Sequence, residues 1–300
     1  MRWLAALIGI GLVGAVIFWF LSAPQPIAAS AIPDDAGDSA AGRIMFFAGG
    51  CASCHKTPDQ DDPLNLGGGF ALKSPFGTFY APNISSDPNA GIGGWSKADF
   101  FNAMKRGIGP DGSHLYPAFP YTSYQRMTNK DVGDLWAFLR TVPAVATASR
   151  AHDIGFPFNI RRGLGLWKLL YLDGKPFEPN PKATDVVNRG SYLVNGPSHC
   201  SECHTPRNVI GGPIRSRFLA GGPNPEGEGK VPNITPSPDG VGSWSADDIA
   251  YALDSGFTPD FDSLGGSMAA VVRNMHEIPA SDREAIAAYL KSVPPLPNEN

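Results

Sequence analysis

The sequence has few cysteines and few charges, and each shortage excludes a class of protein. Its four cysteines, Cys51, Cys54, Cys200 and Cys203, all lie in two short motifs, so none is left for a disulfide framework. Only 17% of the residues are charged and the net charge is −4, so no basic face is implied and nucleic acid is excluded as a partner. The chain is instead rich in Gly (35) and Pro (29) with 42% hydrophobic residues, which indicates ordered loops between short helices rather than disorder.

Each cysteine pair stands in a Cys-x-x-Cys-His motif, CASCH at 51–55 and CSECH at 200–204. This motif is the attachment signature of c-type haem, in which the cysteines form thioethers and the histidine binds iron. It predicts two covalently bound haem c groups, with His55 and His204 as iron ligands. Two alternatives fit less well. The pairs are too far apart for a compact zinc site, and no βαβ context for a thioredoxin-like motif is found.

The N-terminus carries a long uncharged segment. Residues 3–21 contain no charged side chain, which is about the ~20 residues that span a bilayer and longer than the ~7–15 of a signal-peptide core. Arg2 favours a cytoplasmic N-terminus, and Trp3 and Trp19 stand near the two ends of the segment. We expect a single span in the inner membrane, in contact with lipid, with the rest of the chain in the periplasm. The alternative is a signal peptide cleaved near residues 28–30.

The rest of the chain is an internal repeat. The distance from Cys51 to Trp95 and from Cys200 to Trp244 is 44 residues in both cases, and PNI[ST] and WS segments recur in each half. Gly42 and Gly190 lie in short predicted helices just before the two motifs. A glycine in a helix lets a second helix cross closely. The expected crossing partners are the last helices of each half, which contain Phe138 and Tyr289. We predict a mainly α fold of two tandem class I cytochrome c-like domains with long loops. The predicted boundaries are a transmembrane anchor at 1–23, a tether at 24–38, the first domain at 39–142, a packed connecting segment at 143–181 and the second domain at 182–296.

The connecting segment is too apolar for a free linker, since a mobile linker is rich in Gly and Ser or in charge. We expect its large apolar side chains to pack along the two domains and fix their relative position. These side chains are Phe156, Phe158, Trp167, Leu169, Leu170, Tyr171 and Phe177.

The stretches NRGSYLVNGPSHCSECHTPRN, LYPAFPYTSY and SMAAVVRN, with the two PNI[ST]…WS segments, resemble the cytochrome c subunits of membrane-bound bacterial alcohol, gluconate, sorbitol and aldehyde dehydrogenases. The resemblance covers most of residues 39–294, and it is more specific for the domain type than for the partner enzyme. Many such subunits carry three haems, whereas this chain has two attachment sites. The resemblance implies an electron-transfer subunit with no catalysis of its own. Its donor would be a periplasmic or membrane-bound dehydrogenase, and its acceptor quinone or a terminal oxidase.

The resemblance also suggests the sixth iron ligands. Met268 lies 24 residues after Trp244 and matches the ligand methionine of the family, with Met275 as the fallback. The corresponding place in the first half is Phe119, which cannot bind iron. When relatives have Phe at this place, a methionine later in the chain looks like the replacement ligand, and here that residue is Met127. His114 or open iron are the alternatives, and Met104 is expected in the core of a helix.

Other haem contacts are predicted from the repeat. Trp95 and Trp244 are candidates for propionate contacts through their indole N–H groups, and plain core positions are the alternative. Asn83 and Asn233 are candidates for the same role, or hold their turns by side-chain hydrogen bonds. Arg207 is either a propionate partner or a solvated side chain, and His152 and His276 are expected at the surface or in loops.

A dihaem redox enzyme is the alternative to an electron carrier. A dihaem enzyme of the peroxidase or thiosulfate dehydrogenase type needs one open or replaceable iron site, and the missing methionine at Phe119 is its only indication. No dense group of His, Glu and Arg marks a distal pocket in the sequence. We therefore expect an electron carrier.

Overall fold

The computed structural model describes residues 2–225, 227 and 229–298, and within them the chain is mainly helical with little sheet. The helices are α1 (Arg2–Leu21), α2 (Ser39–Ala48), α3 (Cys51–His55), α4 (Lys97–Arg106), α5 (Tyr121–Tyr124), α6 (Asn129–Leu139), α7 (Leu164–Tyr171), α8 (Asp185–Asn195), α9 (Ser201–His204), α10 (Ala246–Ser255), α11 (Met268–His276) and α12 (Ala280–Ser292). The strands are β1 (Ala71–Ser74), β2 (Gly77–Tyr80), β3 (Asp153–Ile154), β4 (Gly222–Pro223) and β5 (Lys230–Val231). β1–β2–β3 and β4–β5 form two small antiparallel sheets.

The helices α4 and α10 begin and end with the same local sequence signals. Ser96 begins α4 and Ser245 begins α10, and each serine forms a capping box with an aspartate three residues later. Both helices end at a left-handed glycine, Gly107 and Gly256. The same order of elements therefore follows each cysteine motif, with one difference: where the second half has the nine-residue α11, the first has the single turn of α5.

Close helix crossings build the core. α2 packs on α6 in the first half, and α8 packs on α12 in the second. Gly42 lies against the backbone of Asp134 and Gly190 against that of Ala285, so close that a Cβ atom on either glycine would overlap a carbonyl oxygen. The predicted role of both glycines, and their crossing with the helices that contain Phe138 and Tyr289, agrees with this geometry. One apolar cluster contains buried residues of both halves.

The segment after α1 packs on the first half along its length. The backbone N–H of Ile27 donates to Asn102 (2.7 Å), the Lys97 amine donates to the Pro33 carbonyl (2.7 Å), and the N–H of Asp38 donates to Asp134 (2.8 Å). The tether between α1 and α2 is therefore ordered and packed against the first half.

The connecting segment corrects one prediction from the sequence. Trp167 is buried and Phe177 packs on Tyr192 as expected, and Tyr171 contacts Trp167. The prediction was wrong for Phe156, Leu169 and Leu170, which are exposed. Phe158 is also exposed, although its ring packs against Phe76 of the first half. For Leu169 and Leu170 the reason is that α7 presents its Gly165 side to the end of α1 and its Trp167 side to the body, which leaves a third side facing outward.

Candidate haem sites

Each cysteine motif folds as one short helical turn. α3 contains Cys51 to His55, and α9 follows Cys200 directly. Residues three apart on a helix lie on the same face, so both cysteines of each motif point to one side. Burial raises the pKa of the Cys51 and Cys200 thiols to about 12.

The four cysteines do not meet in one metal site. Among the residues that the structure describes, no three His, Cys, Asp or Glu side chains come together as a metal ion would require. The two cysteine pairs therefore do not form one shared ligand set among these residues.

The two motif histidines are oriented in the same way. Nδ1 of His55 lies 2.8 Å from the Pro82 carbonyl oxygen, and Nδ1 of His204 lies 2.8 Å from that of Pro232. A carbonyl only accepts, so Nδ1 carries the proton and Nε2 keeps its lone pair. Burial lowers the pKa of both imidazoles, and the carbonyl contacts oppose this more weakly. A neutral imidazole with a fixed tautomer is what an iron ligand requires, so these residues fit haem.

In the first half, the two methionines named from the sequence are both buried. Met127 is 1% exposed and belongs to the cluster against which Cys51 and Phe119 pack. Its carbonyl accepts a hydrogen bond from the buried Lys105 amine (2.7 Å), which holds the backbone just before α6. Met104 lies in α4 and is buried, as expected.

In the second half, Met268 is the first residue of α11 and is half-buried, whereas Met275, two turns later, is buried in the core. Met268 stays the predicted ligand and Met275 the alternative.

The asparagines hold turns. The Asn83 amide donates to the carbonyls of Val145 and Thr147 (2.6 and 2.8 Å), and its oxygen accepts from the N–H of Ser85 (2.9 Å). The Asn233 amide donates to the Leu296 carbonyl (2.7 Å) in the same manner. These contacts match the turn-holding alternative, and a propionate contact stays a prediction. Trp95 and Trp244 are half-buried and pack against the core.

Arg207 has a protein partner. Its guanidinium donates to the Gly211 carbonyl (2.8 Å) and forms an ion pair with Glu202, one of the two residues between the cysteines of the second motif. The Glu202 carboxylate also accepts from the hydroxyls of Thr122 and Ser123 in the first half (2.7 Å each). The sequence does not single out Glu202, because Thr122 and Ser123 lie about 80 residues before it and no local pattern connects them.

The remaining histidines have other partners. Nε2 of His114 donates to the Ser22 carbonyl (2.9 Å), and Nδ1 accepts from the Lys168 amine (2.9 Å), so both ring nitrogens are engaged away from the motifs. His152 is half-buried and accepts from the N–H of Tyr80 (3.1 Å), and His276 pairs with Asp254 at the surface.

The two attachment segments touch each other. Nε2 of His199, just before Cys200, donates to the carbonyl of Gly49, two residues before Cys51, over 3.1 Å. The Tyr124 ring packs against His199 (centroids 5.6 Å apart) and its hydroxyl lies 3.4 Å from the same carbonyl. The sequence does not predict this contact, because His199 and Gly49 are 150 residues apart and no local pattern connects them.

Comparison with known proteins agrees with this geometry. The family model for cytochrome c matches residues 39–143. A diheme cytochrome c-type protein of Cereibacter sphaeroides is 53% identical, over 87% of this chain and 87% of its own length. The fructose dehydrogenase cytochrome subunit of Gluconobacter japonicus is 40% identical over 84% of this chain and 52% of its own length. The cytochrome c subunit of an alcohol dehydrogenase (quinone) of Gluconacetobacter polyoxogenes is 39% identical over 85% of this chain and 56% of its own length. The chain thus spans about half the length of these dehydrogenase subunits.

Proposed function

This chain belongs to the dihaem c-type cytochromes, and from that premise we propose that it holds one haem c at each Cys-x-x-Cys-His motif and passes electrons between them. When bound, haem iron supplies reversible one-electron exchange. The protein fixes each histidine tautomer, surrounds each motif with apolar side chains and keeps the two motifs in contact.

The contact between His199 and Gly49 is the observation that carries this proposal. Electron transfer between two centres becomes steeply slower with distance, so a relay needs its centres close together. Attachment segments that share a hydrogen bond would hold two haems in neighbouring parts of the protein. The buried ring of Tyr124 packs beside this bond against His199.

We assign the haems to two tandem domains, residues 39–142 and 182–296. The support is the recurrence of the capping boxes, the left-handed glycines and the glycine-mediated crossings after each motif. Met127 and Met268 are the proposed sixth ligands, because methionine closes the iron to substrate and raises its potential. This arrangement argues for a carrier over an enzyme with an open first haem.

α1 is proposed to stay attached as a membrane anchor. It is long and apolar enough to cross a bilayer. Ser22, the residue after it, is fully buried and is held by His114 and by the Arg162 guanidinium (2.9 Å to each). Cleavage near residues 28–30 would remove these contacts. With Arg2 on the cytoplasmic side, the haem domains would lie in the periplasm.

The partners follow from the relatives. A dehydrogenase is the proposed electron donor, and quinone or a terminal oxidase the proposed acceptor. The full dehydrogenase subunits are longer than this chain, so the docking region for the donor is not carried over residue by residue.

Purification of the full chain from membranes of a host that matures cytochromes c tests this proposal. Intact mass should increase by two haems, and by one when either cysteine pair is replaced with alanine. Subunits that co-purify should include a dehydrogenase whose substrate reduces both haems. Turnover of peroxide or thiosulfate by the purified chain would instead favour the enzyme hypothesis.

A further inference from the structure

Large apolar side chains are exposed in one part of the body. Apart from α1, the longest run of them lies within residues 156–170. Its members are Phe156, Phe158, Ile160, Leu166, Leu169 and Leu170. Soluble proteins rarely expose contiguous apolar area of this kind without a partner, because its burial is favourable.

Two further exposed side chains adjoin this run from the second half. The Trp167 indole donates to the Ile210 carbonyl (3.0 Å), which places Ile210 and its exposed neighbour Val209 beside α7. The Phe158 ring packs against Phe76 (centroids 4.9 Å apart), and Phe76 in turn lies under Gly211. We call these eight side chains the α7 patch: the six in 156–170 together with Val209 and Ile210.

The α7 patch begins where α1 ends. Gly165 lies so close to Ser22 that a Cβ atom on it would be 2.4 Å from the Ser22 carbonyl oxygen. The exposed leucines follow within five residues of this crossing, which is about 8 Å along a helix that rises 1.5 Å per residue. The patch is therefore continuous with the end of the membrane-spanning helix.

Arg162 and Trp19 mark the depth of this region. The Arg162 guanidinium lies 4.2 Å from the centre of the Trp19 ring and donates to the Trp19 carbonyl (2.6 Å). Tryptophan near the end of a span lies at the headgroup level, and arginine extends its charge toward the same level. α7 starts two residues after Arg162, so its exposed side lies at the depth where lipid headgroups meet acyl chains.

We propose that the α7 patch inserts into the surface of the bilayer that α1 spans, so that the body rests on the membrane at a second point beside its anchor. The proposal rests on the proposed anchoring of α1. The ligand is lipid: the apolar side chains contact the upper acyl chains, while Arg161 and Arg162 face headgroup phosphates. Two contacts, the anchor and the patch, would fix the tilt of the haem domains relative to the membrane.

A lipid cross-linking experiment tests this directly. The haem-loaded full chain is reconstituted in vesicles of phosphatidylethanolamine and phosphatidylglycerol with a phospholipid that carries a diazirine in its acyl chain. After illumination, mass spectrometry identifies the labelled peptides. Labelling of both α1 and residues 156–172, without labelling of the exposed Tyr251, Phe257 and Phe261 of the second half, supports the proposal.

The other outcomes separate the two proposals. Labelling of α1 without residues 156–172 overturns insertion of the patch and leaves the anchor in place, as expected if a protein partner covers the patch. No labelling of either segment overturns both. Reduction of the haems by a co-purified dehydrogenase and its substrate, both added to the same vesicles, reports the relay independently of membrane contact.

A variant with matched control adds a second test. Leu166→Gln, Leu169→Gln and Leu170→Gln together should lower labelling of 156–172 several-fold and leave labelling of α1 unchanged. Tyr251→Gln with Phe261→Gln should change neither. All five side chains are exposed, so loss of haem absorbance is not expected, and unchanged labelling in the triple variant would overturn the proposal.

Discussion

A Cβ atom placed on Gly190 would lie 1.8 Å from the carbonyl oxygen of Ala285, closer than any two such atoms approach in a protein. The same relation joins Gly42 to Asp134 at 1.9 Å in the first half. α8 crosses α12 and α2 crosses α6 only because both positions lack a side chain.

Gly190→Ala should therefore force the two helices apart. We expect a loss of about 1–3 kcal/mol in the free energy of unfolding, the usual cost of overpacking, and this outweighs the ~0.5–1 kcal/mol by which alanine favours a helix. Chemical unfolding followed by far-ultraviolet circular dichroism measures it. Gly265→Ala, where a Cβ would meet nothing within 4 Å, is the matched control and should stay within about 0.5 kcal/mol of the parent.

The proposed methionine ligands can be tested one at a time. Met127→Leu keeps the apolar volume and removes the sulfur, so stability should fall by less than about 1.5 kcal/mol while the methionine–iron charge-transfer absorbance of one haem disappears. Met104→Leu, equally buried in the same core, should keep that absorbance. Loss of the band in Met104→Leu rather than Met127→Leu would contradict the assignment.

The second half offers the same comparison within one helix. Met268→Leu should remove the charge-transfer band of the other haem, since its half-buried side chain is the proposed ligand. Met275→Leu changes a core side chain and should leave the absorbance intact. The opposite pattern would assign Met275 as the ligand.

The sequence predicted the features that depend on short-range patterns. The crossings at Gly42 and Gly190, and the turn-holding alternative for Asn83 and Asn233, follow from residue type and spacing. What it did not predict depends on single long-range contacts, such as that of Glu202 with Ser123. The exposure of Leu169 and Leu170 was also missed, because an apolar helix predicts burial without saying whether protein or another apolar medium covers it.

Glu202 links the two halves through a half-buried carboxylate, and Glu277 links them through an exposed one paired with Arg43. Glu202→Gln should cost about 1.5–3 kcal/mol, because hydrogen bonds to a charged group are the strong ones. Amide hydrogen exchange should also quicken in α5, which contains Thr122 and Ser123. Glu277→Gln removes a surface pair worth about 0–1 kcal/mol and is the control. Equal effects of the two changes, with haem content verified by mass, would contradict the link.

His152 should make stability depend on pH below neutrality. Its Nδ1 accepts from the N–H of Tyr80, and its ring packs between Phe79 and Tyr116. Burial, and next the charge of Arg161, hold the pKa of this imidazole below its usual range. In the folded chain the neutral form is favoured, since an imidazolium has no lone pair to accept that hydrogen bond.

The sign follows from proton linkage. Between the folded-state pKa and the unfolded value of about 6.5, the unfolded chain binds more protons, so the free energy of unfolding rises with pH. This contribution is complete above about pH 6.5 and is lost as the pH falls through the folded-state pKa. His152→Asn keeps an acceptor for Tyr80 and removes the titration. The difference in melting temperature between parent and variant should therefore be largest near pH 7 and shrink toward pH 5. A difference that is constant over this range would mean that His152 contributes packing alone.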